Sequence, residues 1–318
     1  MNTEDKIIGI LLSGCIGDIL GSTNEGKKFN EIRSQEIIRD FKINKFTDDT
    51  ELTLILAEYL IRYYNGQNSN HSMVEKLHEM YQKTVSKSKR GYSSRTRQIL
   101  SEWHLCMIGG DADTNGCVMR IAPLAVVDFS AKLSDEQLKK IIKYTVYCTH
   151  GESNDALDIC FLHVKAISSL LKSRNNNALE MYNYILHYCK KIGNINFYPL
   201  LLLINPFNKY VLFKNGKPSL NDNITKTIFG IEIFQIKAIQ CYICALICFL
   251  YNFENPIDAF IMAANIGGDT DTICKLVGDL VGAKYGTKWI PLPWSEPEQH
   301  VYIKNLGKSL TNKFKSSQ

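Results

Sequence analysis

The chain has 318 residues, enough for one large domain or two ordinary ones, and its 45% hydrophobic and 22% charged residues are typical of a globular protein in water. A net charge of +5 is too small at this length to indicate a specific nucleic-acid partner. The polar N-terminus does not resemble a signal peptide, and the apolar runs are too short or interrupted to span a membrane. We therefore expect an intracellular, cytoplasmic protein, a monomer with neither a membrane nor a nucleic-acid partner.

Most of the ten cysteines lie within apolar runs, which predicts buried, reduced side chains and a reducing compartment. Cys241, Cys244 and Cys248 are spaced to share one face of a helix. No matching second pair of ligands accompanies them, so they are interpreted as core residues rather than as a zinc site.

The N-terminal segment from Lys6 to Leu20 predicts a helix that packs tightly against another backbone. Small residues recur every four positions at Gly9, Ser13 and Gly17, and glycine costs about 1 kcal/mol against alanine within a helix. Asp18 follows at its end. This carboxylate either has a functional role or satisfies the backbone of a neighbouring loop.

Two aspartates begin the next predicted helix, whose apolar positions from Leu52 to Tyr63 form one face. Asp48 and Glu51 have the spacing of a capping box. A cap needs only one carboxylate, however, and Asp49 with its flanking threonines exceeds that need. Capping and metal binding both remain open here.

A basic segment from residue 83 to 97 contains six basic residues and no acidic one. Its lysines favour a solvated loop, whereas the backbone N–H groups and hydroxyls of Gly91–Ser94 suit a pyrophosphate. The turn-rich segment 109–116 has aspartates that loop chemistry alone explains. His150 is placed where it would complement a helix C-terminus.

Residues 192–231 lose helical periodicity and predict an irregular insertion within a single domain. Helical patterns resume over residues 233–251 and 256–264, and a polar, basic tail is expected from Lys304.

The segment 265–286 combines hard oxygen donors with a helix start. Gly267 and Gly268 permit a turn, and Asp269 and Asp271, two positions apart, can converge where that turn enters a helix. With the earlier aspartate pair, this segment offers six hard oxygen donors that suit two octahedral Mg²⁺ ions. These donors are Thr47, Asp48, Asp49, Asp269, Asp271 and Thr272.

The order of motifs resembles the ADP-ribosylglycohydrolase family, which includes the ADP-ribosyl-acceptor hydrolases and the dinitrogenase reductase-activating glycohydrolase. The motifs extend over almost the whole chain, and their order is far more specific than any one of them. They are Gly17-Asp18-Ile-Leu-Gly21 with Glu25, Thr47-Asp48-Asp49-Thr50, Asn115-Gly116 through Pro123, Thr149-His150, and Gly267-Gly268-Asp269-Thr270-Asp271-Thr272.

The resemblance implies a compact, all-α, single-domain fold with a binuclear metal cleft that holds two Mg²⁺ ions, or Mn²⁺. The six oxygen donors would be the metal ligands, with Asp271 bridging the ions. Glu25 would be a gating and catalytic residue beside Asp271. The residues near bound ADP-ribose would be Gly91, Ser93, Ser94, Asn115, Gly116, His150 and Gly268.

The implied reaction is hydrolysis of the bond between ribose C1″ and an acceptor on an ADP-ribosylated protein or an ADP-ribose conjugate. Two departures from the family pattern occur. Ala112-Asp113-Thr114-Asn115 stands where the family often has Ser-x-Gly-Asn, and Ser93 stands where it often has glycine. The acceptor is open. A two-metal phosphohydrolase and a catalytically silent ADP-ribose-binding or structural relative are the alternatives.

Overall fold

The computed structural model describes most of the chain. The described residues are 2–27, 45–66, 70–102, 113–151, 153–173, 177–206, 213–214, 217–218 and 235–315.

Thirteen α-helices occur in the described part, and they confirm the all-α prediction. They are α1 Thr3–Ser22, α2 Asp48–Arg62, α3 Asn70–Val85, α4 Ser94–Ser101, α5 Leu124–Ala131, α6 Asp135–Tyr147, α7 Asn154–Leu171, α8 Ala178–Ile192, α9 Phe197–Leu203, α10 Ala238–Tyr251, α11 Pro256–Ala264, α12 Thr270–Tyr285 and α13 His300–Phe314. Single 3₁₀ turns lie at Asn115–Cys117 and Leu292–Trp294, and a minimal antiparallel pair joins Phe213–Lys214 to Lys217–Pro218.

Helices α1 and α12 form the centre of the fold and pack backbone against backbone. A Cβ atom at Gly17 would lie well inside 3.0 Å of the Cys274 carbonyl, and one at Gly278 equally close to the Ser13 carbonyl. Only glycine fits at these positions. The predicted small-residue stripe on α1 therefore meets a second stripe on α12, and this contact fixes the start of α12 relative to the end of α1.

Two predictions about the C-terminal half are corrected by the structure. The stretch predicted as irregular contains helix α9, although residues 207–212, 215–216 and 219–234 lie outside the described residues. The predicted polar tail is helix α13, whose buried Ile303, Leu306 and Leu310 follow helical spacing. Its many lysines concealed that apolar face, and polar residues alone do not exclude an amphipathic helix.

The nine cysteines in the described part are buried and form no disulfide there, as the sequence predicts. Cys241, Cys244 and Cys248 are core residues of α10. None of the helices that the structure describes combines the length and the apolar character that a membrane span requires.

Candidate active site

One cleft gathers residues from both ends of the chain. The starts of α2 and α12 face each other across it, and the start of α4, the 3₁₀ turn and the segment after α6 complete its wall. The residues that line it are Glu25, Thr47, Asp48, Asp49, Gly91, Ser93, Arg95, Thr96, Ile99, Thr114, Asn115, Gly116, Met119, Thr149, His150, Ile236, Asp269, Asp271 and Thr272.

The start of α2 is held by Asp18, which is fully buried near the end of α1. Its carboxylate accepts hydrogen bonds from the backbone N–H groups of Thr47 and Thr50, both at 3.0 Å, and from the Thr50 hydroxyl at 2.6 Å. Of the two interpretations of Asp18, the structure supports the one in which it satisfies a neighbouring backbone. It thereby sets the position of the two aspartates that follow.

Of the two alternatives left open for Asp48, the capping box with Glu51 does not form. Thr47 is the N-cap of α2, and its hydroxyl accepts from the Asp49 N–H at 3.3 Å. Glu51 instead accepts hydrogen bonds from Arg90 at 3.2 Å and from the Tyr92 hydroxyl at 2.7 Å. Because neither role requires Asp48, its carboxylate is left to line the cleft.

The start of α12 is shaped by Gly267 and Gly268, whose φ angles of 79° and 75° lie in the region that glycine favours. Asp269 follows as the N-cap residue, and its carboxylate accepts from the Asn115 side-chain amide at 2.6 Å. The Asp271 carboxylate accepts from the N–H of Thr272 at 2.8 Å. These contacts aim both carboxylates at the cleft.

Glu25 lies at the exposed rim of the cleft, in a loop tied to Gly268. The N–H of Gly26 donates to the Gly268 carbonyl at 2.9 Å, and the Gly268 N–H donates to the Lys27 carbonyl at 3.1 Å. Gly268 does not line the cleft, so its place is beneath the loop that carries Glu25. A role for Gly268 near bound ADP-ribose stays a prediction.

The acidic groups of the cleft share an environment that disfavours their charged forms. Burial raises the pKa of Asp48 to about 6, and burial with the charges of Asp18 and Asp48 raises that of Asp49 well above its ordinary value. Burial and the charge of Asp49 act likewise on the pKa of Asp271. Partial burial, followed by the charges of Asp269 and Asp18, raises the pKa of Glu25.

The donor set of the cleft suits a hard divalent cation. Oδ2 of Asp49 is buried and has no hydrogen-bond partner within the described residues. Across the described residues no three His, Cys, Asp or Glu side chains are already clustered tightly enough to hold a metal ion. Mg²⁺ prefers few carboxylates together with other oxygen ligands and water, so threonines beside the aspartates meet its requirements.

One part of the cleft wall contains Asn115, Gly116 and His150. Burial, with the charge of Arg120, lowers the pKa of His150 to about 3, so its imidazole is neutral at physiological pH. A Cβ atom on Gly116 would lie 3.1 Å from Cε1 of His150, which leaves the ring packed directly on the turn. Asn115 connects this wall to Asp269.

The predicted phosphate loop is placed at the cleft in part. Gly91 and Ser93 line the cleft, whereas Ser94 is the first residue of α4 and does not line it. The Ser93 hydroxyl caps α4 by accepting from the Thr96 N–H at 3.0 Å. Arg95 and Thr96 also line the cleft, although neither belongs to one of the sequence motifs. Recognising Ser93 as a helix cap would have placed the first turn of α4 at the cleft.

Three apolar residues of the lining were also unassigned, namely Ile99, Met119 and Ile236. Ile99 lies one turn after Arg95 on α4, a spacing that the helix start would have indicated. Ile236 has no local signal, because the stretch before it lost its periodicity.

Arg90 joins the α2 start to the loop that carries Gly91. Its guanidinium donates to the carbonyl of Phe46 and to both oxygens of Glu298, each at 3.1 Å, and it lies 3.7 Å from the centre of the Phe46 ring. The Phe46 N–H donates to Glu298 at 3.1 Å. Phe46, which precedes Thr47 and Asp48, is therefore fixed by the arginine that precedes Gly91.

If the start of α2 holds a metal ion, as the sequence predicts, we expect Arg90→Lys to lower kcat/KM by about 10- to 100-fold, the usual effect of removing an outer contact of such a site. Lysine cannot reproduce the paired contacts with Glu298. The matched control is Arg97→Lys. Arg97 donates to the carbonyls of Val85, Ser88 and Arg90 at 3.0, 3.2 and 3.2 Å, so it supports the backbone of the same segment without an ion pair to Glu298. Steady-state kinetics that show equal losses for both variants would contradict this role.

Comparison with known proteins identifies the class to which this fold and cleft belong. The sequence profile of the ADP-ribosylglycohydrolase family matches residues 1–318. The chain is similar to ADP-ribosylarginine hydrolase Tri1 of Pseudomonas putida, with 24% identity over 93% of this chain and 76% of the relative. It is also similar to ADP-ribosylhydrolase ARH3 of Bos taurus, with 22% identity over 97% and 93% of the two chains.

A solved structure described as an ADP-ribosylglycohydrolase-related protein complex has the same fold. It matches with a TM-score of 0.69 and 20% identity, over 98% of each chain. The chain therefore belongs to the ADP-ribosylglycohydrolase family, a class of hydrolases that act on ADP-ribosylated substrates.

Proposed function

We propose that this protein hydrolyses the bond between ribose C1″ of ADP-ribose and an acceptor, on an ADP-ribosylated protein side chain or a small conjugate. The observation that carries the proposal is the convergence of two aspartate-bearing helix starts, from opposite ends of the chain, in one cleft. A loop with Gly91 and Ser93 lies in the same cleft. Acidic groups and a neutral, hydrogen-bonding wall thus line a space that is open to a nucleotide-like ligand.

Two Mg²⁺ ions, or Mn²⁺, are proposed as cofactors. When bound, they would supply Lewis-acid and charge-stabilising chemistry at the ribose and its attacking water. The raised pKa values of the aspartates and the unpartnered Oδ2 of Asp49 support a cation there, because a nearby positive charge favours the ionised carboxylate. The proposed ligands are Thr47, Asp48, Asp49, Asp269, Asp271 and Thr272.

Glu25 is proposed to exchange the proton of the reaction. It would act either as a base toward water or as an acid toward the leaving group, and burial with the charges of Asp269 and Asp18 raises its pKa above the ordinary value. The backbone pairing with Gly268 keeps its loop beside the start of α12, where Asp271 lies. Glu25 would therefore reach the same reacting atoms as the aspartates.

The rest of the chain's contribution is binding and orientation. The backbone at Gly91 and the N-terminal turn of α4 offer N–H groups to the pyrophosphate. Asn115 holds Asp269 in place at 2.6 Å, so substrate and carboxylate positions are set by the same turn. His150, neutral and buried, adds hydrogen bonding to the wall without adding charge.

The proposal is tested by hydrolysis of three substrates: a serine-linked and an arginine-linked ADP-ribosyl peptide, and O-acetyl-ADP-ribose. Each is incubated with the protein in Mg²⁺ or in chelator. We expect hydrolysis of at least one linkage in Mg²⁺ and its loss in chelator. Binding of ADP-ribose without turnover of any substrate would favour a silent relative, and release of phosphate would favour a phosphohydrolase.

A further inference from the structure

A chain of four side chains runs from a buried cation to the surface of the cleft. The guanidinium of Arg120, which is 1% exposed, donates to the Gly116 carbonyl at 3.0 Å and to the Thr149 hydroxyl. The Thr149 hydroxyl lies 2.8 Å from Nδ1 of His150, and Nε2 of His150 lies 2.8 Å from the hydroxyl of Thr114. Thr114, Thr149 and His150 all line the cleft.

The arginine sets the direction of every proton in this chain. Arginine has donors only, so the Thr149 oxygen accepts from Arg120 and its own proton is free to go to Nδ1 of His150. A neutral imidazole has one donor and one acceptor. With Nδ1 accepting, Nε2 carries the proton and donates to the Thr114 oxygen. The Thr114 proton is then directed away from His150, toward the cleft.

The opposite tautomer is disfavoured because it would leave a buried donor unused. With a proton on Nδ1, the Thr149 oxygen would accept twice and its own proton would need another acceptor. Thr149 is only 3% exposed, so water does not readily supply one. A buried donor without a partner costs about 1–3 kcal/mol, enough to fix the tautomer.

We propose that Thr114 binds the ligand as a hydrogen-bond donor to an oxygen of ADP-ribose, and that Arg120, Thr149 and His150 are positioning residues that fix its proton. The identity of the ligand rests on the proposed function. As a donor, the Thr114 hydroxyl requires an acceptor on the ligand at this position in the cleft, either a phosphate oxygen or a hydroxyl oxygen.

The backbone around Thr114 is held firmly enough for such a role. The carbonyl of Asp113 accepts from the Ala238 N–H at 2.8 Å, and Thr114 pairs with Lys237 as an antiparallel bridge. On the other side, His150 cannot move toward Gly116 because the ring already packs on that turn. The backbone that carries the Thr114 hydroxyl is therefore held on one side by Lys237 and Ala238, and the hydroxyl itself contacts His150.

The test compares Thr114→Val, which keeps the shape and removes the hydroxyl, with Thr114→Ser, which keeps the hydroxyl. The dissociation constant of ADP-ribose is measured by calorimetry with the full chain in Mg²⁺. We expect about a tenfold weaker affinity for the valine variant, which corresponds to about 1.4 kcal/mol. The serine variant should remain within about threefold of wild type. Equal affinities for valine and wild type would overturn the inference.

Nitrogen-15 NMR of the His150 ring supplies a readout that a purely structural role would not move. We expect a proton on Nε2 in the wild type and, in Thr149→Val, loss of that preference with weaker ADP-ribose binding although Thr114 is intact. A wild-type proton on Nδ1 would overturn the relay. If the wild type does not bind ADP-ribose, both the ligand assignment and the proposed function are contradicted. If the wild type binds ADP-ribose and Thr114→Val binds it equally well, only the role of Thr114 is contradicted.

Discussion

Replacement of Asp271 by alanine is expected to lower turnover by at least about 10³-fold while leaving the helical circular dichroism spectrum unchanged. Metal-assisted charge stabilisation supplies several kcal/mol, and each 1.36 kcal/mol is a tenfold change in rate. Asp271 lies in the first turn of α12, 7% exposed, beside the carboxylates that raise its pKa. Its removal would take one oxygen donor from both proposed ions.

The fold should tolerate this change because the ionised carboxylate is disfavoured where it stands. The control is Asp113→Ala, which removes a carboxylate from the segment beside the cleft. Asp113 pairs with Lys237 at 3.0 Å in an exposed ion pair, and such pairs contribute about 0–1 kcal/mol. We expect the control to keep wild-type turnover. An Asp271→Ala protein within tenfold of wild type would rule out a bridging ligand at this position.

Replacement of Gly278 by alanine is expected to lower the free energy of unfolding by about 3 kcal/mol, the upper part of the range for overpacked sites. Alanine gains about 1 kcal/mol over glycine in helix propensity, so the clash must exceed that gain. The added Cβ meets the carbonyl of Ser13, which belongs to a backbone and not to a flexible side chain. Helices α1 and α12 would have to separate.

Gly307→Ala on α13 is the graded control, because its Cβ would meet the Ile8 side chain at 2.9 Å and the Ile8 Cα at 3.0 Å. A side chain can give way in part, so we expect a loss of less than about 2 kcal/mol. Urea unfolding followed by circular dichroism measures both variants. A Gly278→Ala protein as stable as wild type would contradict the close packing of α1 on α12.

The helices that pack at the centre were predictable because their signals are local. The four-residue stripe of α1 and the glycine pair before α12 each lie within one short segment, and the structure confirms the packing and the φ angles that they predict. Helix α13 was not predicted, although its signal is also local. Its three lysines lie among the apolar positions, and the apolar face becomes visible only when the residues are taken at helical spacing.

The cleft residues that belong to a sequence motif were predictable. The residues that are held in place by contacts with distant parts of the chain were not. The sequence places Asp48 and Asp49 at a helix start but leaves capping and metal binding open for them. The contact that holds this helix start comes from Asp18 on another helix, and it has no local signal. Arg90 was counted as part of a basic run. Its partner Glu298 lies near the other end of the chain, and only the folded structure brings the two together.

The most direct test of the central claim is the identity of the products. An ADP-ribosylated peptide that serves as substrate is incubated with the protein in Mg²⁺. The products are separated by chromatography, and their masses are measured by mass spectrometry. Cleavage at ribose C1″ predicts the unmodified peptide and intact ADP-ribose, with neither formed in chelator. AMP together with a peptide that keeps a phosphoribosyl group would place the cut at the pyrophosphate and contradict the account.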